Sequence, residues 1–311
     1  MIGTDRSPFL AKGKWQVFTG YRFQRSDRHF VGKVEQKNRL SEGSEVLNNI
    51  HLMDFGATYS FNERLSMSVS MPLLIADRSQ RSAGSRFTTE TNGIGDLAVS
   101  GRTWLGNPST HSQQNISVGL GVKFPTGEPG NSDTFLTASG PQVRTVDQSI
   151  QAGDGGYGFI LDTMAFKRIK RSTVTLAGTY LFNPKDTNGV PTFRGRPSEA
   201  IMSVADQYLL RLGVSYPIFP EHGFSLTMAG RWEGIPARDL IGKSNGFRRP
   251  GYAVSLEPGW VLSRGGDTVG FSVPFAISRN RTRSVSDILV GRQGDAAFAD
   301  YIILIGYSHR F

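Results

Sequence analysis

The chain has 311 residues, no cysteine, 37 glycines and 35 Lys and Arg against 26 Asp and Glu, a formal net charge of +9. Without cysteine there is no disulfide framework, thiolate metal site, iron–sulfur cluster or cysteine nucleophile. No window holds the ~20 consecutive apolar residues of a membrane-spanning helix, and glycine stands well above its usual ~7 %. A soluble all-β protein and a membrane β-barrel both remain, because a barrel alternates apolar with polar residues and averages to a mildly hydrophilic chain.

Residues 1–13 read as an N-terminal segment. They include Asp5 and Arg6 and lack the apolar stretch of a secretory leader, so a signal peptide is absent from this sequence. From residue 14 onward, alternation with period two recurs in runs of about ten residues, the length of a tilted membrane strand. Trp15, Val17, Thr19, Tyr21 and Phe23 share one face, with Gln16, Gly20, Arg22 and Gln24 on the other. Leu65, Met67, Val69, Met71 and Leu73 then alternate with Ser66, Ser68, Ser70 and Pro72. The same pattern returns at Ile116 to Phe124, Tyr208 to Tyr216, Phe224 to Trp232 and Val269 to Ile277, with weaker runs at 50–61, 94–105, 157–166, 172–182 and 250–262. With 300–311 the count is about twelve strands, an even number, as in single-chain bacterial barrels.

The connections alternate in length. Short links at 61–64, 106–114, 167–171, 217–223 and 263–267 are interleaved with long ones at 25–49, 76–92, 126–156, 183–205, 235–249 and 279–297. Short periplasmic turns on one rim and long extracellular loops on the other describe an outer-membrane barrel; a Greek-key sandwich has no such asymmetry. In the last run Tyr301, Ile303, Ile305, Tyr307 and Phe311 share a face, and the terminal aromatic Phe311 resembles the signal read by the barrel-assembly machinery. Trp15, Tyr59, Trp104, Tyr216, Trp232, Tyr252, Trp260 and Tyr307 sit near strand ends, where interfacial girdles form. The fold expected is therefore an all-β, antiparallel transmembrane β-barrel of about twelve strands, one domain over 14–311, in the bacterial outer membrane.

Three short motifs carry a family resemblance: Gly93-Ile94-Gly95-Asp96-Leu97, Gly121-Val122-Lys123-Phe124-Pro125-Thr126-Gly127 and Gln151-Ala152-Gly153-Asp154-Gly155-Gly156. They resemble segments of the outer-membrane proteins grouped with the meta-pathway phenol-degradation family of transporters. The resemblance spans roughly residues 50–311 and implies a barrel with an uptake or channel role for small solutes, hydrophobic or aromatic ones among them.

If the apolar faces meet lipid, the opposite faces define the lumen. Arg22, Asp54, Asp96, Arg102, Lys123, Arg211, Arg231, Glu233, Glu257 and Asp300 fall there, among Ser, Thr and small Gly residues. Both signs are present, so these charges read first as pairs that brace the wall and second as the lining of a permeation path. Twelve strands enclose little room, and the 126–156 loop, with Phe135 and Leu136 among polar residues, is the expected constriction. The basic loop residues, from Arg25, Arg28, Lys33, Lys37 and Arg39 to Arg238, Lys243, Arg248, Arg249, Arg279, Arg281, Arg283 and Arg292, suit lipopolysaccharide phosphates. Nucleic acid is disfavoured, because the first loop is also acidic and no basic stripe interleaves with stacking aromatics.

An enzyme is the weaker alternative. His51 and His309 lie on strands with no serine locally on their face, and His29, His111 and His222 lie in loops without metal-ligand spacing. Glu233 and Glu257 fall on neighbouring strands, but Arg211 and Arg231 nearby would spoil an acid/base pair. No catalytic residue, metal or cofactor is assigned. The functional expectation is a narrow channel for passive uptake of small solutes through a charged lumen. The competing possibilities are a closed barrel acting as a structural or assembly partner in an envelope complex and, more remotely, a membrane-embedded hydrolase.

Overall fold

The computed structural model describes residues 9–82 and 84–311; residues 1–8, which include Asp5 and Arg6 of the leader reading, and Ala83 lie outside the described residues. Among the described residues, twelve antiparallel strands close on themselves: β1 (Trp15–Val31), β2 (Leu47–Ser60), β3 (Leu65–Ser82), β4 (Ser85–Ile94, then Leu97–Trp104), β5 (Gln114–Phe124), β6 (Gly158–Ile169), β7 (Ser172–Phe182), β8 (Gln207–Phe219), β9 (Phe224–Ile235), β10 (Gly251–Arg264), β11 (Asp267–Ser272, then Phe275–Arg281) and β12 (Ala296–Arg310). Each strand pairs with its neighbours in sequence. The ring closes through β12 and β1, in register from Gln16↔Arg310 to Phe30↔Ala296.

Alternation separates the two faces of the wall. In β3, Leu65, Met67, Val69 and Met71 are exposed while Leu74 and Ala76, of opposite phase, are buried inside. Leu120, Leu212 and Phe275 likewise point outward, so a continuous apolar belt surrounds the barrel, and among the described residues no layer of protein covers it. Aromatics mark both edges. Tyr180, Tyr208, Trp232 and Tyr252 form one row across β7 to β10, with ring centroids 5.1 to 6.5 Å apart. Trp15 with Tyr59, and Trp260 with Phe271, mark the opposite edge at 4.8 and 6.0 Å. Along β9 the rise from Phe224 to Trp232 is about 27 Å at ~3.4 Å per residue, or about 20 Å along the membrane normal at a tilt of ~40°, close to the ~25 Å apolar band of outer-membrane barrels.

Short turns at 61–64, 105–113, 170–171, 220–223 and 265–266 lie on one rim, where Gly13 N–H also reaches Ser60 O (2.7 Å) and Phe311 N–H reaches Trp15 O (3.0 Å). Loops 32–46, 125–157, 183–206, 236–250 and 282–295 rise from the other. The expected loop at 76–92 differs: β3 and β4 continue pairing from Leu73↔Ile94 to Ser82↔Ser85 as a projecting hairpin. Alternation reports where the wall meets lipid, whereas the hydrogen-bond ladder needs no apolar face and runs on past the membrane. The same reason carries β1 to Val31, beyond Gln24.

Glycine is required where the wall folds tightly. A Cβ on Gly56 would stand 2.2 Å from the Phe18 ring and 2.5 Å from Val69 O, so β2 carries glycine where the inward Phe18 lies across it.

Candidate functional site

The middle of the lumen is crossed by one ionic chain. Register sets Arg211 on β8 directly opposite Arg231 on β9, a like-charge pair that would destabilise the sheet if left alone. Glu257 on β10, fully buried, relieves it: its carboxylate accepts from Arg211 Nε at 3.1 Å and from Ser272 Oγ at 2.9 Å, and lies 3.7 Å from Arg231. Arg231 also donates to Glu233 at 2.8 Å, and Glu233 is 3.7 Å from Arg22 on β1, on the far side of the β10–β12 arc. Five of the inward charges read from the sequence therefore form one network bridging the wall. Asp54 is buried on β2, between Gly20 and Pro72 in register.

A second group explains the three glycine motifs. Pro72 has no N–H to give to the ladder, and β4 breaks opposite it at Gly95-Asp96, which frees the Asp96 side chain. Asp96 accepts from Lys123 Nζ (3.3 Å), Gly127 N–H (3.0 Å) and Asp154 N–H (3.3 Å), and Lys123 also pairs with Asp154. A Cβ on Gly153 would strike the Gly127 carbonyl at 2.3 Å, and one on Gly127 would meet Gly95 Cα at 2.9 Å. The three motifs thus meet backbone on backbone and pin both ends of the 126–156 loop to the wall. Burial raises the Asp154 carboxyl above its usual value, with Lys123 opposing the rise. Lower in the lumen, Arg102 pairs with Asp162, reaching over Gly119, whose missing side chain leaves the path clear. Asp162 also accepts from Thr179 Oγ1 at 3.2 Å.

At the mouth, the 126–156 loop turns inward. It forms a hairpin of Ser132–Thr137 and Gly140–Thr145, then a single turn at Gln148–Ile150. Phe135, Val146 and Ile150 are buried against the lumen-facing Leu74 and Ala76, with Ile50, Leu52, Phe87 and Phe193 packed around them. Leu136 is half-buried in the same hairpin. Asp147 is clamped by both nitrogens of Arg249 and lies 3.6 Å from Arg78 on β3. Burial would raise its carboxyl, but Arg249 and Arg78 hold it well below the usual range. Loops 183–206, 236–250 and 282–295 close over the rest: Asp239 takes Arg248 bidentately (2.6 and 2.5 Å), Asp287 takes Arg281 (2.9 Å), and Glu199 takes Arg292 (2.6 Å). Between them a cavity of about 300 Å³ remains.

The short-turn end is covered by aromatics. Trp104, expected in the outer girdle, faces the lumen, with Phe9 5.1 Å and Phe166 5.9 Å from its ring. Trp104 shares the inward phase of Arg102, and that alternation outranks its position at a strand end. The segment 9–14 that delivers Phe9 is tied to the rim by Ser60 Oγ donating to Leu10 O (3.2 Å).

Asp300 stands at the mouth, between Arg28 (2.6 Å) and Arg279 (2.5 Å), with its side chain half exposed. Phe311 is exposed on the outer face beside His309. His309 meets Asp267 at 2.8 Å and His29 meets Asp295 at 2.9 Å, and His29 is buried on β1 rather than in a loop. Asp147, Asp162 and Asp154 were not among the expected residues. Asp162 lies in phase with the inward face of β6, whereas Asp147 reads locally only as the cap of the turn at Gln148–Ile150, accepting from Ser149, and its ion-pair partners are 69 and 102 positions away in the chain. Five arginines assigned to the outer surface, Arg39, Arg248, Arg249, Arg281 and Arg292, line the cavity instead. Among the described residues no group of three His, Cys, Asp or Glu is placed to hold a metal ion.

A closed ring of twelve strands with a lipid-facing belt and a charged interior defines a bacterial outer-membrane β-barrel. The fold is similar to that of an outer-membrane channel from Pseudomonas putida F1, with a TM-score of 0.65 at 13 % identity over 99 % of this chain and 100 % of that one. It is also similar to the translocator domain of the autotransporter NalP from Neisseria meningitidis, with a TM-score of 0.51 at 14 % identity over 97 % of this chain and 90 % of that one. No protein-family model matches the sequence.

Proposed function

We propose that the protein is a narrow outer-membrane channel for passive passage of small solutes, at rest with both ends covered. The observation that carries this reading is the inner wall: its central band is ionic side chains paired with one another, not a packed apolar core, and such a wall holds water and polar solute once the covers move. The likeness to an outer-membrane channel over the whole chain supports it. The meeting of the three glycine motifs at one junction supports kinship with the phenol-degradation-type transporters, and through that resemblance small aromatic solutes as cargo. The exposed Lys33, Lys37, Arg238, Lys243 and Arg283 suit lipopolysaccharide phosphates, and Phe311 suits the barrel-assembly machinery.

The aromatic cover of Phe9, Trp104 and Phe166 favours a second reading, a permanently closed structural barrel. Single-channel conductance in planar bilayers, with liposome swelling, separates the two. Discrete conductance from the folded protein supports the channel. Silence both in the wild type and in a variant lacking 132–145 assigns the structural role.

A further inference from the structure

We propose that the cavity under the outer loops is a binding site for a small oxyanion, a carboxylate or a phosphate carried by the passing solute. The proposal deepens the channel reading, on which it rests for its use but not for its detection. The cavity, of about 300 Å³, lies within the size range of small-molecule sites. Seven arginines among the described residues line it, from loops 32–46, 183–206, 236–250 and 282–295 and the top of β11, against two carboxylates, Glu199 and Asp295.

The arginines are held from behind. Arg248 is gripped by Asp239 and Ser203, Arg249 by Asp147 and Arg281 by Asp287, so each fork is fixed on one side while the cavity lies on another. Their donors exceed the acceptors present. The Nε atoms of Arg194, Arg248, Arg281 and Arg292 are buried with no hydrogen-bond partner among the described residues, and Arg248 and Arg281 are themselves almost fully buried. A carboxylate or phosphate is the acceptor whose geometry matches a guanidinium fork, and the seven arginines that line the cavity outnumber its two lining carboxylates. Arg194 and Arg196 are the weakly neutralised pair: the Arg194 guanidinium lies 4.1 Å from the Phe247 ring centroid and 3.4 Å from Glu199, and Arg196 stands 3.9 Å from the same carboxylate. Burial, reinforced by the neighbouring Arg249 and opposed by Asp147 and Glu199, pushes the Arg194 guanidinium below its usual value. A fixed cationic concavity also concentrates anions at the entrance.

The test is calorimetric titration of the folded full-length protein in detergent, without lipopolysaccharide, using benzoate, inorganic phosphate and the neutral isostere benzyl alcohol. Benzoate or phosphate is expected to bind and benzyl alcohol to fail. Arg194→Gln and Arg196→Gln are each expected to weaken binding about tenfold, while Arg144→Gln, on the exposed hairpin outside the cavity, leaves it unchanged. Binding of benzoate alone assigns carboxylates, and binding of phosphate alone assigns phosphoryl groups. If added lipopolysaccharide competes, the site reads lipid phosphates and the free-solute assignment falls. No binding of either anion, equal binding of benzyl alcohol, or equal loss in Arg144→Gln overturns the proposal. Because Arg196 is more than half exposed, its variant folds even if Arg194→Gln does not, as an unheated gel verifies. Binding with no conductance in either the wild type or the variant lacking 132–145 would defeat the channel reading and leave the site standing.

Discussion

Replacing Glu257 with glutamine is expected to be the most damaging single change to the inner wall. Arg211 and Arg231 face each other across β8 and β9, and both lie within 3.7 Å of the one carboxylate. Their charges are therefore roughly 6 Å apart, and without Glu257 they repel by about 3 kcal/mol at an effective dielectric of ~20. Removing one partner from a buried ionic cluster typically costs about 3–5 kcal/mol, in agreement with that figure. The variant is expected to convert from the compact to the unfolded gel band at lower temperature, and its unfolding free energy from denaturant melts is expected to fall by that amount. Adding Arg211→Gln should recover a large part of the loss, because the second change removes one of the two facing charges that the first left in repulsion. A single variant costing under about 1 kcal/mol, or a double variant whose losses simply add, would refute the reasoning and remove the network from any bracing role.

Other outcomes follow from the covers and the loops. Deleting 132–145 exposes Leu74 and Ala76 at the mouth and is expected to raise conductance several-fold; unchanged current in bilayers would show that the hairpin obstructs nothing. Phe9→Ala is expected to open Trp104 to an aqueous quencher from the short-turn side, and quenching no greater than in the wild type would count against the aromatic cover. Gly56→Ala forces a methyl into Phe18 and Val69 O and is expected to cost about 1–3 kcal/mol of barrel stability in a denaturant melt. For pH, burial alone would raise Asp295, but His29 and Arg39 hold it at about 2, and Asp147 lies well below its usual value. A depressed folded carboxyl stabilises above its unfolded value of ~3.9 and loses that contribution as pH falls through the folded one. The loop cover is therefore expected to resist protease equally from pH 8 to 5 and to loosen only below about pH 4; loosening near pH 6 would assign the titration to other groups.

What the sequence alone determined is the barrel. A period of two states which residues face lipid, so Leu65, Met67, Val69 and Met71, the strand count and the two rims were all legible, as was the inward phase of Arg211, Arg231 and Glu257. The physical reason is that lipid contact acts on each residue separately and leaves its mark position by position. Pairing does not. Which arginine meets which carboxylate depends on register around a closed ring and on loops that return from far along the chain, so the bridge from Arg22 to Glu233, the clamp of Arg249 on Asp147 and the contact of Phe9 with Trp104 belong to the tertiary structure. The loops show it most clearly: their arginines looked like an outer coat, and folding turned five of them into a cavity, because Asp147, Asp239, Asp287, Asp295 and Glu199 hold them there.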